Sequence, residues 1–165
     1  AWTAYGRVER SLALAGRLSI ALEAGIASGD GDPDDDDLQT FRAPQPPGRY
    51  FGNTTPLGPA NLAGFTPSAS INLAPRTRLT AQGRFFWRAS LDDGIYSPPG
   101  ILIRTGRRSD KRHVGRELGA NMVHEFNRHL SLRAMAAHFN AGTFLRETPP
   151  GKDVSMGELL LNFRF

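Results

Sequence analysis

Arginine is the residue type with the clearest chemical use in this sequence. Five arginines lie on the polar side of stretches in which apolar and polar residues alternate: Arg17, Arg84, Arg88, Arg133 and Arg164. Channels that pass anions line their walls with arginine or lysine, so these five are candidate anion-binding residues. Four glutamates share the same alternation: Glu23, Glu117, Glu125 and Glu158. Two interpretations are therefore open, an anion pathway and a wall of paired charges without selectivity.

A run of aspartates offers a second chemistry, the binding of a hard cation. Asp30, Asp32 and Asp34 follow a two-residue spacing within the segment 28–37, and Ca²⁺ is bound by clustered carboxylates. The run lacks the glutamate that closes an EF-hand loop, and the flanking sequence is not helical. A calcium loop and a solvated acidic loop both fit. We expect no other cofactor, because the four histidines have no zinc-ligand spacing. We expect no enzyme activity, because no catalytic motif is present.

The composition excludes several classes of protein. The net charge is +4, although six aspartates lie between 30 and 37, so the remainder of the chain is strongly basic. A basic chain can bind nucleic acid, an anionic membrane or an anionic solute. No nucleic-acid-binding motif is present, so we expect no nucleic-acid partner. No run reaches the ~20 apolar residues of a membrane helix, and the absence of cysteine excludes disulfides and thiol chemistry.

Period-two alternation recurs along the chain and predicts β-strands. Seven stretches carry it: 2–10, 17–27, 65–73, 79–91, 114–126, 130–137 and 157–165. They are longer than the ~5–6 residues usual in globular sheets and match tilted strands that cross a membrane.

The connections between these stretches alternate strictly between short and long. The long ones lie near 28–64, 92–111 and 142–153. Outer-membrane barrels have short periplasmic turns and long external loops, which is this arrangement. The sequence therefore predicts an all-β fold, an antiparallel up-and-down transmembrane β-barrel, with residues 1–165 forming one barrel segment. Because antiparallel strands close only in even numbers, we expect the seven strands to be the C-terminal part of a larger barrel.

The parity of the alternation assigns each side chain to lipid or to the lumen. An arginine facing lipid near the bilayer midplane costs roughly 2–4 kcal/mol, so the five candidate arginines are assigned to the lumen. Arg116 and His124 break the parity. We place Arg116 outside the bilayer near a loop, and we infer a β-bulge at His124.

The last residues carry a further signal. Leu159, Leu161, Phe163 and Phe165 occupy alternate positions, with Leu160, Asn162 and Arg164 between them, and the sequence ends on phenylalanine. This resembles the C-terminal signature that the β-barrel assembly machinery reads, with Phe163 and Phe165 as its aromatic residues. The alternative is an edge strand that ends in phenylalanine.

Four groups of motifs, in this order, resemble the alginate-export family of outer-membrane proteins. They are Ser28-Gly29-Asp30; Thr40-Phe41 with Gly48-Arg49-Tyr50-Phe51-Gly52; Phe85-Phe86-Trp87-Arg88 followed by Asp92-Asp93-Gly94-Ile95-Tyr96; and His138-Phe139-Asn140-Ala141-Gly142 followed after one residue by Phe144-Leu145. The resemblance covers the chain from about Arg17 to Phe165. It implies a monomeric barrel with more strands, whose arginine-lined lumen passes an anionic polysaccharide.

We therefore predict an integral channel or porin of the Gram-negative outer membrane. Its expected partners are anionic small molecules or a uronate polysaccharide, outer-membrane lipid and the β-barrel assembly machinery. The alternative is a secreted, calcium-dependent carbohydrate-binding β-domain that uses the aspartate loop. A barrel enzyme with its site in the external loops is a third hypothesis.

Overall fold

The computed structural model describes residues 1–12, 18–32, 34–43 and 57–165. Its strands, in chain order, are β1 (Thr3–Leu12), β2 (Leu18–Ala27), β3 (Leu62–Ala74), β4 (Thr77–Arg88), β5 (Ile95–Tyr96), β6 (Leu102–Arg104), β7 (His113–Glu125), β8 (Leu130–Ala141) and β9 (Val154–Phe163). A 3-10 turn at Gly106–Arg108 and the short helix α1 (Thr143–Glu147) lie between strands. In the described ranges, no helix is both long enough and apolar enough to cross a membrane.

Seven strands form one antiparallel sheet in the order β1-β2-β3-β4-β7-β8-β9. Each strand pairs with the next long strand along the chain, as expected when turns or loops join neighbours. The seven predicted strands are confirmed, with ends that differ by several residues. Within the described residues, neither the outer edge of β1 nor that of β9 pairs with another strand. The short strands β5 and β6 form a separate hairpin inside the connection from β4 to β7.

The sheet has two chemically different faces. The apolar face carries side chains that include Val8, Ile20, Leu22, Phe65, Ala81, Phe85, Trp87, Leu118, Leu159 and Leu161. The polar face carries the alternate residues, which include Arg7, Glu23, Ser70, Thr80, Arg84, Glu117, Asn121 and Arg133. Because side chains alternate along a strand and cross-strand partners share a face, the sequence alternation produces this division directly.

The apolar face is open to the surroundings. Leu22 is 50% exposed, Leu159 is 77% exposed and Leu161 is 62% exposed. No second sheet packs against these side chains among the described residues. A contiguous apolar surface of this kind indicates contact with a membrane or with another protein, because exposing it to water is energetically unfavourable.

The buried core lies instead on the polar side of the sheet, at the end where the long connections emerge. There Leu62, Phe86 and Phe139 of the sheet pack against Ile95 from the β4–β7 connection and Phe144 from α1. All five side chains are at most 3% exposed. These parts of the β4–β7 and β8–β9 connections therefore fold over the polar face, and they do not extend freely from the strand ends.

Neither of the two parity breaks comes from a β-bulge. The pairing of β4 with β7 is continuous from Thr77 to Phe86, including His124 opposite Thr77, and it shifts only between Phe86 and Trp87. The prediction of a bulge at His124 is therefore wrong. Arg116 also lies within the continuous part, so unbroken alternation places its side chain on the apolar face, beside Phe85, near the long-connection end.

Candidate functional site

The polar face is balanced in charge. Within the described strands its arginines are Arg7, Arg78, Arg84, Arg88 and Arg133, and its glutamates are Glu9, Glu23, Glu117, Glu125 and Glu158. Five cationic and five anionic side chains therefore share this face. This part of the wall is therefore not electropositive as a whole, and the location of each arginine decides what it can bind.

Arg84 is held by an ion pair. Its guanidinium donates to the Glu117 carboxylate at 2.5 Å, across adjacent strands β4 and β7. The Glu117 side chain is fully buried and that of Arg84 is 19% exposed, so the pair is shielded from water on one side. Arg84 thus presents only part of its donor capacity to the space above the polar face.

Arg7 is paired in the same way, nearer the edge of the sheet. It donates to Glu23 at 2.7 Å and to Glu9 at 2.6 Å, with about half of its side chain exposed. The row that crosses the sheet here carries the pair Arg7 and Glu23 on one side of Thr66 and the pair Arg84 and Glu117 on the other. The interpretation of paired charges therefore fits this row.

Arg78 and Arg133 are different. Both pair in register with Val123, one from each side, so a small apolar residue separates the two cations. Both are exposed, and among the described residues neither forms a salt bridge. Sequence reasoning missed Arg78, because the alternating stretch was taken to begin at Leu79. Extending the alternation by one residue would have found it.

Arg88 is not on an accessible wall. It is 1% exposed, and its guanidinium donates to the backbone carbonyls of Leu91, Asp93, Gly106, Ser109 and Lys111. The guanidinium also lies 4.1 Å above the ring of Phe144. The expectation that Arg88 binds a solute is corrected accordingly: its alternation parity was right, but the β4–β7 connection covers it and uses its donors.

The remaining candidates lie at the margins. Arg164 is exposed just beyond the end of β9, where its backbone bonds to His129. Arg17 lies outside the described residues. Phe163 is 68% exposed on the apolar face, and Phe165 extends beyond the strand with full exposure.

The aspartate run adopts a turn geometry. The Asp30 carboxylate accepts the backbone N–H of Asp32, and the Asp32 carboxylate accepts that of Asp34. These are Asx turns, in which a side chain bonds its own backbone two residues on. The Asp34 carboxylate pairs with Arg107 of the β4–β7 connection. Within the described part of the chain, no three histidine or acidic side chains are grouped closely enough to hold a metal ion.

A buried hydrogen-bond network joins two of the long connections. The Asp93 carboxylate accepts the Asp30 backbone N–H at 2.9 Å, the Thr40 hydroxyl at 2.7 Å and the Tyr96 hydroxyl at 2.6 Å. Burial, followed by the hydrogen bond to Asp93, raises the pKa of Tyr96 to about 12. Asp93 thus holds the connection after β2 against the connection after β4.

Asn61 completes this network, because its backbone N–H donates to the Ser28 carbonyl at 3.2 Å. We call the network the loop clamp (Ser28, Asp30, Thr40, Asn61, Asp93, Tyr96). Asn61 is fully buried with a positive φ of 48°. Its side-chain amide nitrogen donates to the backbone carbonyls of Ser90 and Gly94. A Cβ on Gly29 would lie 2.1 Å from the Asn61 amide oxygen, so only glycine fits there. The motifs Ser28-Gly29-Asp30, Thr40-Phe41 and Asp92-Asp93-Gly94-Ile95-Tyr96, which are distant in the sequence, therefore meet at the loop clamp.

Aromatic rings mark both ends of the apolar face. At the long-connection end, Phe65 stacks on Phe85 at 4.8 Å and on Trp87 at 5.6 Å. At the short-turn end, His124 meets Phe126 edge-on at 4.6 Å. Aromatic girdles at the two borders of an apolar band are typical of outer-membrane proteins.

A protein-family model matches most of this sequence. No curated protein sequence matches the chain. The family model described as alginate export matches residues 10–157. That match spans β2 to β8 entirely and the loop clamp with them, and it covers most of the sequence. The chain belongs to the alginate export family.

Proposed function

We propose that this sheet is part of the wall of an outer-membrane channel that exports an anionic polysaccharide. The alginate export family is an outer-membrane transport family and not an enzyme family. The observation that carries the proposal is the open apolar face, bounded at both ends by aromatic rings. A soluble domain would bury such a surface in its core.

The dimensions of the strands fit a bilayer. The 10-residue strands β1, β2 and β9 are ~33 Å long at ~3.3 Å per residue. A tilt of ~40° reduces their height to ~25 Å, which is the thickness of the apolar band in outer-membrane barrels. The apolar face would then meet lipid, and the polar face would meet water in the lumen.

Export through such a wall is passive and depends on weak, repeated contacts. Arg78 and Arg133 each offer a guanidinium that can hold a sugar carboxylate by two parallel hydrogen bonds. Because both are solvated, each contact is worth little, and the polymer is released as easily as it is bound. Arg84 would provide a weaker contact nearer the long-connection end, because Glu117 partly neutralises its charge. Arg164 would provide a contact at the short-turn end of the channel.

The long connections would shape the opposite mouth of the channel. They fold over the polar face and are fixed there by Arg88 and the loop clamp. A lumen narrowed by packed loops admits an extended chain more readily than a folded protein.

The experiment is single-channel recording of the full-length protein in planar bilayers, with oligouronates as blockers. We expect oligouronates to interrupt the current, and Arg78→Gln and Arg133→Gln each to weaken the block ~2- to 5-fold, as loss of an exposed ion pair implies. The control is Arg116→Gln, which removes the same charge from the apolar face. A protein that forms no channel, or a control variant with the same effect as the lumen variants, would contradict the proposal.

A further inference from the structure

We infer that a belt of hydroxyl and amide side chains on the polar face contacts sugar hydroxyls, which makes the channel selective for carbohydrate over other anions. The inference rests on the proposed function and adds a specificity element to it. The belt comprises five residues in one cross-strand row: Ser11, Ser19, Ser70, Thr80 and Asn121.

The register makes the belt continuous. Ser11 pairs with Ser19, Ser19 with Ser70, Ser70 with Thr80 and Thr80 with Asn121, so each of five adjacent strands contributes one short polar side chain. At ~4.8 Å between strands the belt is about 19 Å long. The belt ends at Asn121 on β7. The next residues of the same row are Met135 on β8 and Glu158 on β9, which are not hydroxyl or amide side chains.

The hydrogen bonds within the belt leave capacity for a ligand. Ser70 and Thr80 share one hydrogen bond at 2.8 Å, and Ser11 and Ser19 share one at 3.3 Å. In each pair one hydroxyl donates to the other, so the accepting hydroxyl keeps its own proton to donate elsewhere. The Asn121 amide oxygen is buried and has no hydrogen-bond partner among the described residues, so rotation of this side chain towards a donor above the polar face would satisfy it.

The belt lies beside the unpaired cations. Thr80 is two residues from Arg78 on the same strand and face, ~6.6 Å along the chain. A uronate residue whose carboxylate binds Arg78 therefore brings its ring hydroxyls over Thr80 and Asn121. Sugar hydroxyls both donate and accept, as serine and threonine hydroxyls do, whereas a plain carboxylate only accepts. Arginine alone distinguishes anions from cations; the belt adds discrimination between sugars and other anions.

The test compares two blockers of equal charge, an oligouronate and an oligoglutamate, on the full-length channel. In the Ser70→Ala, Thr80→Val double variant we expect the Kd for oligouronate block to rise about 3- to 10-fold, with oligoglutamate block unchanged. The matched control is Thr66→Val, Ser68→Ala, which removes two hydroxyls from β3, on the same face but outside the belt. We expect that control to match the wild type for both blockers. Retained single-channel conductance shows that each variant forms an intact pore.

The possible failures are distinguishable. If Arg133→Gln weakens both blockers while the belt variant changes neither, or changes both equally, the belt has no sugar specificity and the channel function stands. If the wild type is blocked by neither compound, the proposed function falls and the belt with it.

Discussion

Replacing Arg88 by lysine tests whether one buried guanidinium holds the β4–β7 connection in place. Arg88 donates six hydrogen bonds to five backbone carbonyls, and a lysine ammonium has only three donors. At least two carbonyls lose their partner, at about 1–1.5 kcal/mol each. We therefore expect Arg88→Lys to lower the free energy of local opening of residues 89–112 by about 2–3 kcal/mol.

Hydrogen exchange measures this directly, because amides in the connection exchange through local opening. Protection at Ser109 and Lys111 should fall by roughly 30- to 150-fold, while protection in β2 and β3 stays unchanged. Arg108→Lys is the matched control, since Arg108 is an exposed arginine in the same connection. Unchanged protection in Arg88→Lys would refute the reasoning, because the carbonyls would then be satisfied without the guanidinium.

Three further outcomes follow from the same geometry. The pKa of Tyr96 is raised to about 12 from 10.0. The stability that the neutral Tyr96 hydroxyl contributes is therefore complete below pH 10 and is lost as the pH rises towards 12. In a pH titration, tyrosinate absorbance should show a late phase, and Tyr96→Phe should remove that phase. Leu22→Arg should lower the free energy of unfolding of the protein in lipid by roughly 2–4 kcal/mol, as measured by denaturant titration. Ala21→Arg, on the polar face, should lower it less, and equal losses for the two variants would contradict the assignment of the faces. Glu117→Gln should shift the reversal potential towards anion selectivity, since Arg84 loses its counter-charge; no shift would mean that solutes do not reach this pair.

The strands were predictable because the signal is local. Alternation such as that of Leu18, Ile20 and Leu22 against Ser19 and Glu23 depends only on which face each residue meets. The same alternation in β4 placed Arg84 and Arg88 on one face correctly. The strand ends were less certain, and for that reason Arg78 was missed.

The fate of each arginine was not predictable, because it depends on residues distant in the chain. Arg88 is buried by Asp93, Gly106 and Lys111, and its parity is the same as that of exposed Arg78. The register shift between β4 and β7 lies beyond Arg116, next to the pairing of Phe86 with Gly115, and bulges leave no reliable mark in one sequence. Aspartates two apart fit calcium ligation and Asx turns equally, so spacing alone could not decide between them.

The loop clamp was visible in the sequence only as separate motifs. The segments around Asp30, Thr40 and Asp93 carried the family resemblance, but their meeting point at the Asp93 carboxylate required coordinates. The structure gives these motifs an architectural explanation, the fixing of two long connections over the polar face. The belt of Ser70, Thr80 and Asn121 likewise emerges only from the cross-strand register.

Thiol labelling of single-cysteine variants tests most directly whether alternate residues meet lipid and water. The chain contains no native cysteine, so cysteine can be placed at Leu79, Thr80, Ala81 and Gln82 of β4 in turn. In membrane-embedded protein, a water-soluble maleimide should label positions 80 and 82 rapidly and leave positions 79 and 81 unlabelled. Equal labelling of all four positions, or preferential labelling of 79 and 81, would contradict the account.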